Sequence, residues 1–219
     1  MADSPGDSTR LKLFKSYQEE DGISVDRISN LPDALLHQIL SFLPTKTVVA
    51  TSVLSKRWVS VWTSVPALDF QDSDICRSCP EAMMNFMEFV YNTFLLNKSG
   101  SIERFRLHCN LSYGLSCVNK WICFTVNRGM QLQEVDIAVS KAREDEDEDS
   151  LLLKLPSGFF LMKTLKILKL EGDIMFDFRG PISLPSLKIL HLRCVNYATN
   201  TIDSLVWVCG SPGIGNSRT

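Results

Sequence analysis

The stretch "LSKRWVSVW", residues 54–62, places two tryptophans four positions apart directly after a Lys-Arg pair. Ser55 can cap a helix here, and Trp58, Val61 and Trp62 would then share one face at the i, i+3, i+4 spacing. Aromatic stripes at helical spacing are usually ordinary core. The sequence therefore predicts a short helix, and its apolar face needs something to pack against.

Two further helices precede this one. The apolar residues of "DRISNLPDALLHQILSFLP", residues 26–44, recur with the 3.6-residue period of an amphipathic helix, for which Asn30 is a candidate N-cap. Pro44 ends that helix and opens the next, "PTKTVVATSVL", because proline clashes with the preceding turn. The pattern predicts three short helices over residues 31–62.

A unit of this size is small for so many large apolar side chains. Lone domains below roughly 40 residues usually need a metal, a disulfide or a partner. The two indoles compete for this interior with the apolar residues of the first helix and with Val53 and Leu54. We therefore expect part of this surface to face another molecule or the rest of the chain, since large apolar patches usually mark interaction sites.

The same residues resemble a known module. Leu31-Pro32, the spaced Leu36, Ile39 and Leu40, and then "SVLSKRWVSVW" are similar to the F-box, which docks a protein onto the Skp adaptor of cullin-based SCF-type ubiquitin ligases. The resemblance places Trp58 and Trp62 at or just beneath the adaptor interface. It assigns nine residues to that interface or to the fold of the box: Leu31, Pro32, Leu36, Ile39, Leu40, Leu43, Leu54, Trp58 and Trp62.

One rival interpretation is a DNA-binding helix-turn-helix, with "SKRW" at the start of the recognition helix. The turn lacks the usual glycine, and the formal net charge of −2 gives no broad basic field. The sequence thus disfavours nucleic acid as a partner.

The rest of the chain repeats. An L-x-x-L-x-L frame recurs as "IERFRL", "LQEVDI", "LKILKL" and "LKILHL", beginning at Ile102, Leu132, Leu165 and Leu187, at intervals of 30, 33 and 22 residues. Such periods predict irregular leucine-rich repeats. Asn110 occupies the ninth position of the first copy, where its side chain can bond the turning backbone.

Helices are predicted between these strands. "EAMMNFMEFVYNTFLL", residues 81–96, would join the three-helix unit to the first repeat. "SCVNKWICFTVNRG", with Ser116 as a possible N-cap and Gly129 as the stop, would back the sheet. "LPSGFFLMKT", residues 155–164, predicts a short helix or turn.

Alternate strand residues would line the concave face of a repeat horseshoe. This face is polar and mixed in sign, which suits recognition of a protein or a small ligand, although a merely solvated face fits equally well. The possible substrate-contacting residues are Arg104, Arg106, His108, Glu134, Asp136, Lys169, Glu171, His191 and Arg193.

Together with "LPSGFFLMKTLKILKLEGD" and "SLPSLKILHLRC", the N-terminal module resembles plant F-box proteins with leucine-rich repeats and a C-terminal FBD segment. The resemblance implies an α/β fold, a three-helix F-box followed by a short, irregular leucine-rich-repeat solenoid. The sequence ends at Thr219 without an FBD segment, which we interpret as a truncated or alternatively spliced product. The predicted domains are a flexible leader (1–25), the F-box (26–70), a linker helix (71–100), the repeats (101–200) and a disordered or truncated tail (201–219).

Composition and motifs narrow the function classes. No apolar signal segment or bilayer-length run is present, and seven cysteines without a secretion signal indicate reduced thiols in the nucleus and/or cytoplasm. Cys76 and Cys79 form one C-x-x-C, but zinc needs four ligands and no second pair follows. The run "EDEDED", from Glu144 to Asp149, predicts a solvated loop.

Catalytic motifs were not found either. The three histidines lie far apart in the sequence without a neighbouring nucleophile, and no glycine-rich phosphate loop occurs. We therefore expect no catalytic residue, no cofactor and no metal.

The predicted function is a non-catalytic substrate-recognition subunit of an SCF-type E3 ubiquitin ligase, with a Skp-type adaptor, a cullin reached through it, and an unknown target protein as partners. The alternatives are a non-ligase leucine-rich scaffold, or a truncated decoy that occupies the adaptor without delivering substrate. A cysteine hydrolase is a more distant alternative.

Overall fold

The computed structural model describes residues 26–73, 75, 79–141, 152–176 and 182–197. The predictions for the leader, for Cys76, for the acidic run from Glu144 to Asp149 and for the tail fall outside these residues. The described residues divide into two compact units between Pro32 and Asp33. In the first unit, the Leu31 backbone N–H donates to the Ile28 carbonyl at 3.0 Å, which closes a turn.

Three short helices lie in the segment where the sequence predicts them. They are α1 (Asp33–Leu40), α2 (Thr45–Ala50), extended by a 3-10 turn at Thr51–Val53, and α3 (Lys56–Thr63). Because α1 begins at Asp33, the prediction of Asn30 as its N-cap is wrong. Ser55 occupies the N-cap position of α3 with extended backbone, but its side chain makes no capping hydrogen bond.

Parallel strands make up most of the rest. The five-stranded sheet has the order β1 (Ala67–Gln71), β2 (Arg104–Asn110), β3 (Glu134–Ser140), β5 (Ile167–Gly172) and β7 (Ile189–Arg193). A second, three-stranded parallel sheet contains β4 (Leu153–Lys154), β6 (Ile174–Phe176) and β8 (Asn196–Tyr197). Each of the four predicted frames runs into a strand of the larger sheet, whereas β1 and the smaller sheet were not predicted.

Helices pack against one face of the sheet, as the sequence predicts. They are α4 (Pro80–Leu96), α5 (Leu115–Arg128) and two 3-10 segments, Leu111–Tyr113 and Ser157–Leu161. The prediction of Ser116 as the cap of α5 is wrong, because the helix already begins at Leu115, after Gly114. The prediction of a mixed helix and strand fold is confirmed.

The apolar side chains form two groups. The main core lies between the sheet and its helices and contains the inward residues of β1, β2, β3 and β5 together with Trp121, which is fully buried. A separate set of buried residues belongs to α1, α2, α3 and the end of the three-helix segment: Leu36, Leu40, Val48, Trp58, Val61, Trp62 and Val65. The three-helix segment thus buries apolar side chains that are not part of the main core.

One glycine is required by the sheet. Gly172, at the end of β5, has a φ of +90°, and a Cβ there would lie 1.9 Å from the Val139 carbonyl oxygen of β3. No described helix is both long enough and apolar enough to span a bilayer.

Candidate protein-interaction surfaces

The two tryptophans of the three-helix segment point into its interior. Trp58 and Trp62 are each 6% exposed in the chain by itself. They lie on the same face of α3 as Val61, which is also buried. The indoles therefore hold the helices together and leave little of their own surface for a second molecule.

Other apolar side chains of this segment remain exposed. On α1, Leu36 and Leu40 point inward, while Leu35 and Ile39 lie one turn apart on the flank of that buried stripe and are each about half exposed. Val53 and Leu54 are 85% and 63% exposed. The small interior thus leaves apolar surface uncovered. We name this the box surface: Leu35, Ile39, Leu43, Val53, Leu54 and Val59.

The nine residues assigned by resemblance fall into three groups. Leu36, Leu40, Trp58 and Trp62 are buried. Ile39, Leu43 and Leu54 lie on the box surface. In the first unit, Leu31 is half-buried and Pro32 is exposed.

The nine residues assigned by resemblance leave out three members of the box surface: Leu35, Val53 and Val59. Leu35 stands one turn before Ile39 on the same face of α1 and was detectable. Val53 belongs to the apolar set that the sequence predicts to be partly uncovered, whereas Val59 carried no signal, since the flank of a short helix has no fixed apolar spacing.

The outward face of the larger sheet carries rows of side chains that the strand register sets side by side. The middle row runs Asp69, Arg106, Asp136, Lys169 and His191 across five strands. Arg106 bridges two carboxylates: its Nη1 lies 3.1 Å from Asp69 Oδ2 and its Nε lies 3.3 Å from Asp136 Oδ2. The opposite charges of neighbouring strands in this row therefore neutralise each other within the face.

Asp136 lies at the centre of this network. Burial alone would raise the pKa of Asp136, but the hydrogen bond from His108 and the charges of His108, Arg106 and Lys169 outweigh it and hold the pKa below its usual range. His108 Nε2 donates to Asp136 Oδ1 at 2.9 Å, and Lys169 Nζ lies 3.9 Å from Asp136 Oδ2. The carboxylate is thus kept ionised at neutral pH.

The other predicted face residues pair across strands as well. Arg104 Nε lies 3.1 Å from Glu134 Oε2, and Arg193 Nη1 lies 3.4 Å from Glu171 Oε1. The pair at Arg193 is more than half exposed on both sides, so solvent screens it strongly. The register brings all nine predicted residues onto one face.

Asn110 ends β2 and ties two strands together. Its side chain is 1% exposed; its Oδ1 accepts from the Ser112 backbone N–H at 2.7 Å, and its Nδ2 donates to the Lys141 carbonyl at 2.9 Å. The predicted role of this asparagine in bonding the turning backbone is confirmed.

A groove of about 370 Å³ separates α1 from the amino ends of the strands. Ala34 and His37 line one wall, on the flank of α1 opposite Leu35. Glu103, Gln133 and Lys166 line the other wall, each just before a strand. Because the walls carry polar groups of both signs, the groove suits a peptide or another polar ligand and does not favour ligands of one charge.

A metal centre is not assembled in the described part of the chain. No three His, Cys, Asp or Glu side chains converge there as a metal site requires. Burial raises the pKa of the Cys109 thiol strongly, with a smaller contribution from the charge of Asp72. Cys109 therefore stays protonated, which makes it a poor nucleophile.

Comparison with known proteins gives the following matches. The family model for the F-box domain matches residues 28–69. An F-box/LRR-repeat protein of Arabidopsis thaliana is 37% identical over 177 residues, which cover 77% of this chain and 36% of the relative. Two F-box/FBD/LRR-repeat proteins of the same plant are each 36% identical, one over 190 residues (84% of this chain, 42% of the relative) and one over 214 (97% and 42%).

The chain spans about two fifths of the length of these relatives. No solved structure matches it significantly. The predicted resemblance to plant F-box proteins with leucine-rich repeats is confirmed by the family match and by these relatives.

Proposed function

We propose that this chain, which contains an F-box domain and is homologous to plant F-box/LRR-repeat and F-box/FBD/LRR-repeat proteins, is the substrate-recognition subunit of an SCF-type E3 ubiquitin ligase. The observation that carries the proposal is the box surface. A segment that buries Trp58 and Trp62 still exposes large apolar side chains, and a Skp-type adaptor is the partner that an F-box implies. Burying that surface would supply the driving force for docking.

The proposed architecture is a three-helix F-box followed by a short, irregular leucine-rich-repeat solenoid. Four observations support it: each repeat frame leads into one parallel strand, the strands align in register, helices or 3-10 turns return on the other face, and Asn110 bonds the chain where it turns. Stacked repeats of this kind bury a continuous core that one repeat could not.

The proposed adaptor contact centres on Ile39, Leu43 and Leu54, with Leu35, Val53 and Val59 beside them. Trp58, Trp62, Leu36 and Leu40 support the contact from below by fixing the positions of α1 and α3. For Leu31 and Pro32 the assignment rests on the sequence resemblance. A cullin would be reached through the adaptor.

The proposed target surface is the outward face of the larger sheet. The charges of this face already pair with each other. A target protein would have to replace these pairs or present charges that match their alternating signs. Such a face favours specific binding of one target over strong attraction of many. The contribution to ubiquitin transfer is positioning: holding a target near a ubiquitin-charged enzyme raises the effective concentration of its lysines. The chain itself would be non-catalytic and would act in the nucleus and/or cytoplasm.

A second candidate is a leucine-rich scaffold outside the ligase, or a decoy that occupies the adaptor without delivering a target. The observation that favours it is the internal neutralisation of the sheet face, from Asp69 to Lys169, which leaves few unpaired charges to attract a partner.

Proximity labelling in plant cells tests the proposal. The native chain is compared with an Ile39→Asp/Leu54→Asp variant, which places two charges on the box surface, and with a Met130→Asp control, which changes an 86% exposed apolar residue outside the box. We expect labels of the adaptor and cullin to disappear only in the double variant, whereas labels of target proteins persist.

Reconstitution then separates the candidates. Each protein whose labelling persists is purified and incubated with the chain, the adaptor, the cullin and a ubiquitin-charged enzyme. A substrate receptor transfers ubiquitin to at least one of them, a decoy binds the adaptor without transfer, and a scaffold binds no adaptor. Either of the last two results contradicts the proposal.

A further inference from the structure

Arg104, the first residue of β2, makes contacts in two different parts of the fold. Its Nε lies 3.1 Å from Glu134 Oε2 on β3, within the sheet. Its Nη1 donates to the Ser41 carbonyl at 2.9 Å, and its guanidinium carbon lies 5.2 Å from the centre of the Phe42 ring. Ser41 and Phe42 form the corner between α1 and α2, so a single side chain links this corner to two strands.

The chemistry of the guanidinium explains why one residue can make all three contacts. Its planar fork donates along several fixed directions while its flat face stacks on an aromatic ring. A lysine ammonium at the same place could pair with Glu134, but it lacks the planar fork that reaches both Glu134 and the Ser41 carbonyl in fixed directions. Arginine is therefore better suited than lysine to make the three contacts at once.

A second link lies close to the first. Thr45, the first residue of α2, is 3% exposed, and its Oγ1 accepts from the Asp69 backbone N–H of β1 at 2.7 Å. At the end of α3, the Thr63 carbonyl accepts from the Lys98 backbone N–H at 2.6 Å. One bond thus holds α2 to β1 and the other holds the end of α3 to the segment that follows α4. The exposed corner at Ser41 and Phe42 is held to the sheet by the side chain of Arg104.

We propose that Arg104 is a positioning residue rather than a target-contacting one: it fixes the corner between α1 and α2 against β2 and β3 and so sets a single orientation of the F-box relative to the sheet. The consequence for ubiquitin transfer rests on the proposed function. If the box holds the adaptor and the sheet holds the target, a fixed orientation sets which target lysines come within reach. A substitution that loosens the corner between α1 and α2 would bring a wider range of target lysines within reach.

The orientation can be measured in the full chain without an adaptor or a target. Nitroxide labels are attached at Ser60 of α3 and Lys120 of α5, both exposed, through an unnatural amino acid because the chain has seven cysteines. Pulsed electron paramagnetic resonance then gives the distribution of distances between the labels. We expect one narrow distribution for native Arg104, and broadening for Arg104→Ala with little change in unfolding temperature.

Two further variants make the test specific. Arg104→Lys keeps the charge opposite Glu134 and should broaden the distribution almost as much as alanine, which a simple ion pair would not do. Arg193→Ala is the matched control, because it removes an arginine–glutamate pair of the same sheet face that does not touch the box. It should leave the distribution narrow.

If Arg104→Ala does not fold, Phe42→Leu replaces it as the test. Phe42 is 68% exposed, so the substitution removes the stacking face without opening the interior, and broadening is again expected. A distribution as narrow as the native one in these variants, or equal broadening in Arg193→Ala, would overturn the proposal. Failure of the native chain to bind an adaptor would contradict the proposed function. It would not affect the test of Arg104, because the distances are measured without an adaptor.

Discussion

Trp58 and Trp62 lie one helical turn apart on α3, and both indoles are buried within the chain's own three-helix segment. Leu54, which directly precedes this helix, is instead largely exposed. The division means that the aromatic pair stabilises the three-helix segment, while aliphatic residues around it stay exposed and form the proposed adaptor contact. If the proposal holds, stability and adaptor binding can be separated by mutation.

Replacing Trp58 by alanine should destabilise the box. Removing a buried indole leaves a cavity that short helices cannot fill, and such changes cost about 3–5 kcal/mol. Urea unfolding followed by far-UV circular dichroism measures the loss. Val59→Ala is the control on the same helix; because Val59 is about half exposed, its effect should stay within about 1 kcal/mol. Equal effects of the two variants would contradict the burial of Trp58.

Replacing Asn110 by alanine should destabilise the five-stranded sheet. The substitution leaves the Ser112 N–H and the Lys141 carbonyl without their partner, at a cost of about 1–3 kcal/mol. The backbone amide of Ser112 should then exchange its hydrogen faster than in the native chain. Asn127→Ala, at an exposed position of α5, serves as the control, and unchanged exchange at Ser112 would argue against the bond.

Gly172→Ala should disturb the pairing of β3 with β5. A methyl group at a φ of +90° would collide with the Val139 carbonyl oxygen, so the cost should exceed about 1 kcal/mol. Gly100 offers a matched control, because a Cβ there meets no atom within 4 Å. We expect a lower thermal midpoint for the first variant and a nearly native midpoint for the second. A native midpoint for Gly172→Ala would show that the strand is not placed as described.

Asp136→Asn should weaken the chain at neutral pH by roughly 1–3 kcal/mol, since the ionised carboxylate accepts charged hydrogen bonds. Its pKa in the folded chain lies below the usual value of about 3.9, so its stabilisation is present above that pH and is lost as the pH falls through the lowered folded pKa. The difference between native and variant chains should therefore shrink in acid.

Urea unfolding of both chains at about pH 7, 5 and 3 follows this change. Glu171→Gln is the control, because the exposed pair with Arg193 should contribute under about 1 kcal/mol at any of these values. A native-to-variant difference for Asp136 that persists or grows in acid would contradict the assignment.

The sequence predicts four strands of the larger sheet well, because alternation of apolar residues has a fixed period and the leucine frame recurs before each of them. It misses β1, since Leu68 and Phe70 form a short alternation without a preceding frame. The ion pairs of Arg106 could not be predicted either. Asp69 and Asp136 lie 37 and 30 residues away in sequence, and only the strand register makes them neighbours.

The three-helix segment shows a second limit of prediction from sequence. Helical periodicity predicts that Leu36, Ile39 and Leu40 belong to one apolar stripe, but it does not say where the buried part of the stripe ends. That boundary depends on how α2 and α3 pack against α1, which is tertiary information. The expectation that Trp58 and Trp62 lie at or just beneath a partner interface stays a prediction, and the structure shows that both indoles are buried in the chain by itself.

Calorimetric titration of the full chain with a purified Skp-type adaptor at several temperatures tests the central claim, that a second polypeptide covers the apolar box surface. We expect binding with a negative heat-capacity change, the mark of apolar burial, and a large loss of affinity in Ile39→Asp/Leu54→Asp but not in Met130→Asp. No binding by the folded native chain, or native affinity in the double variant, would contradict the account.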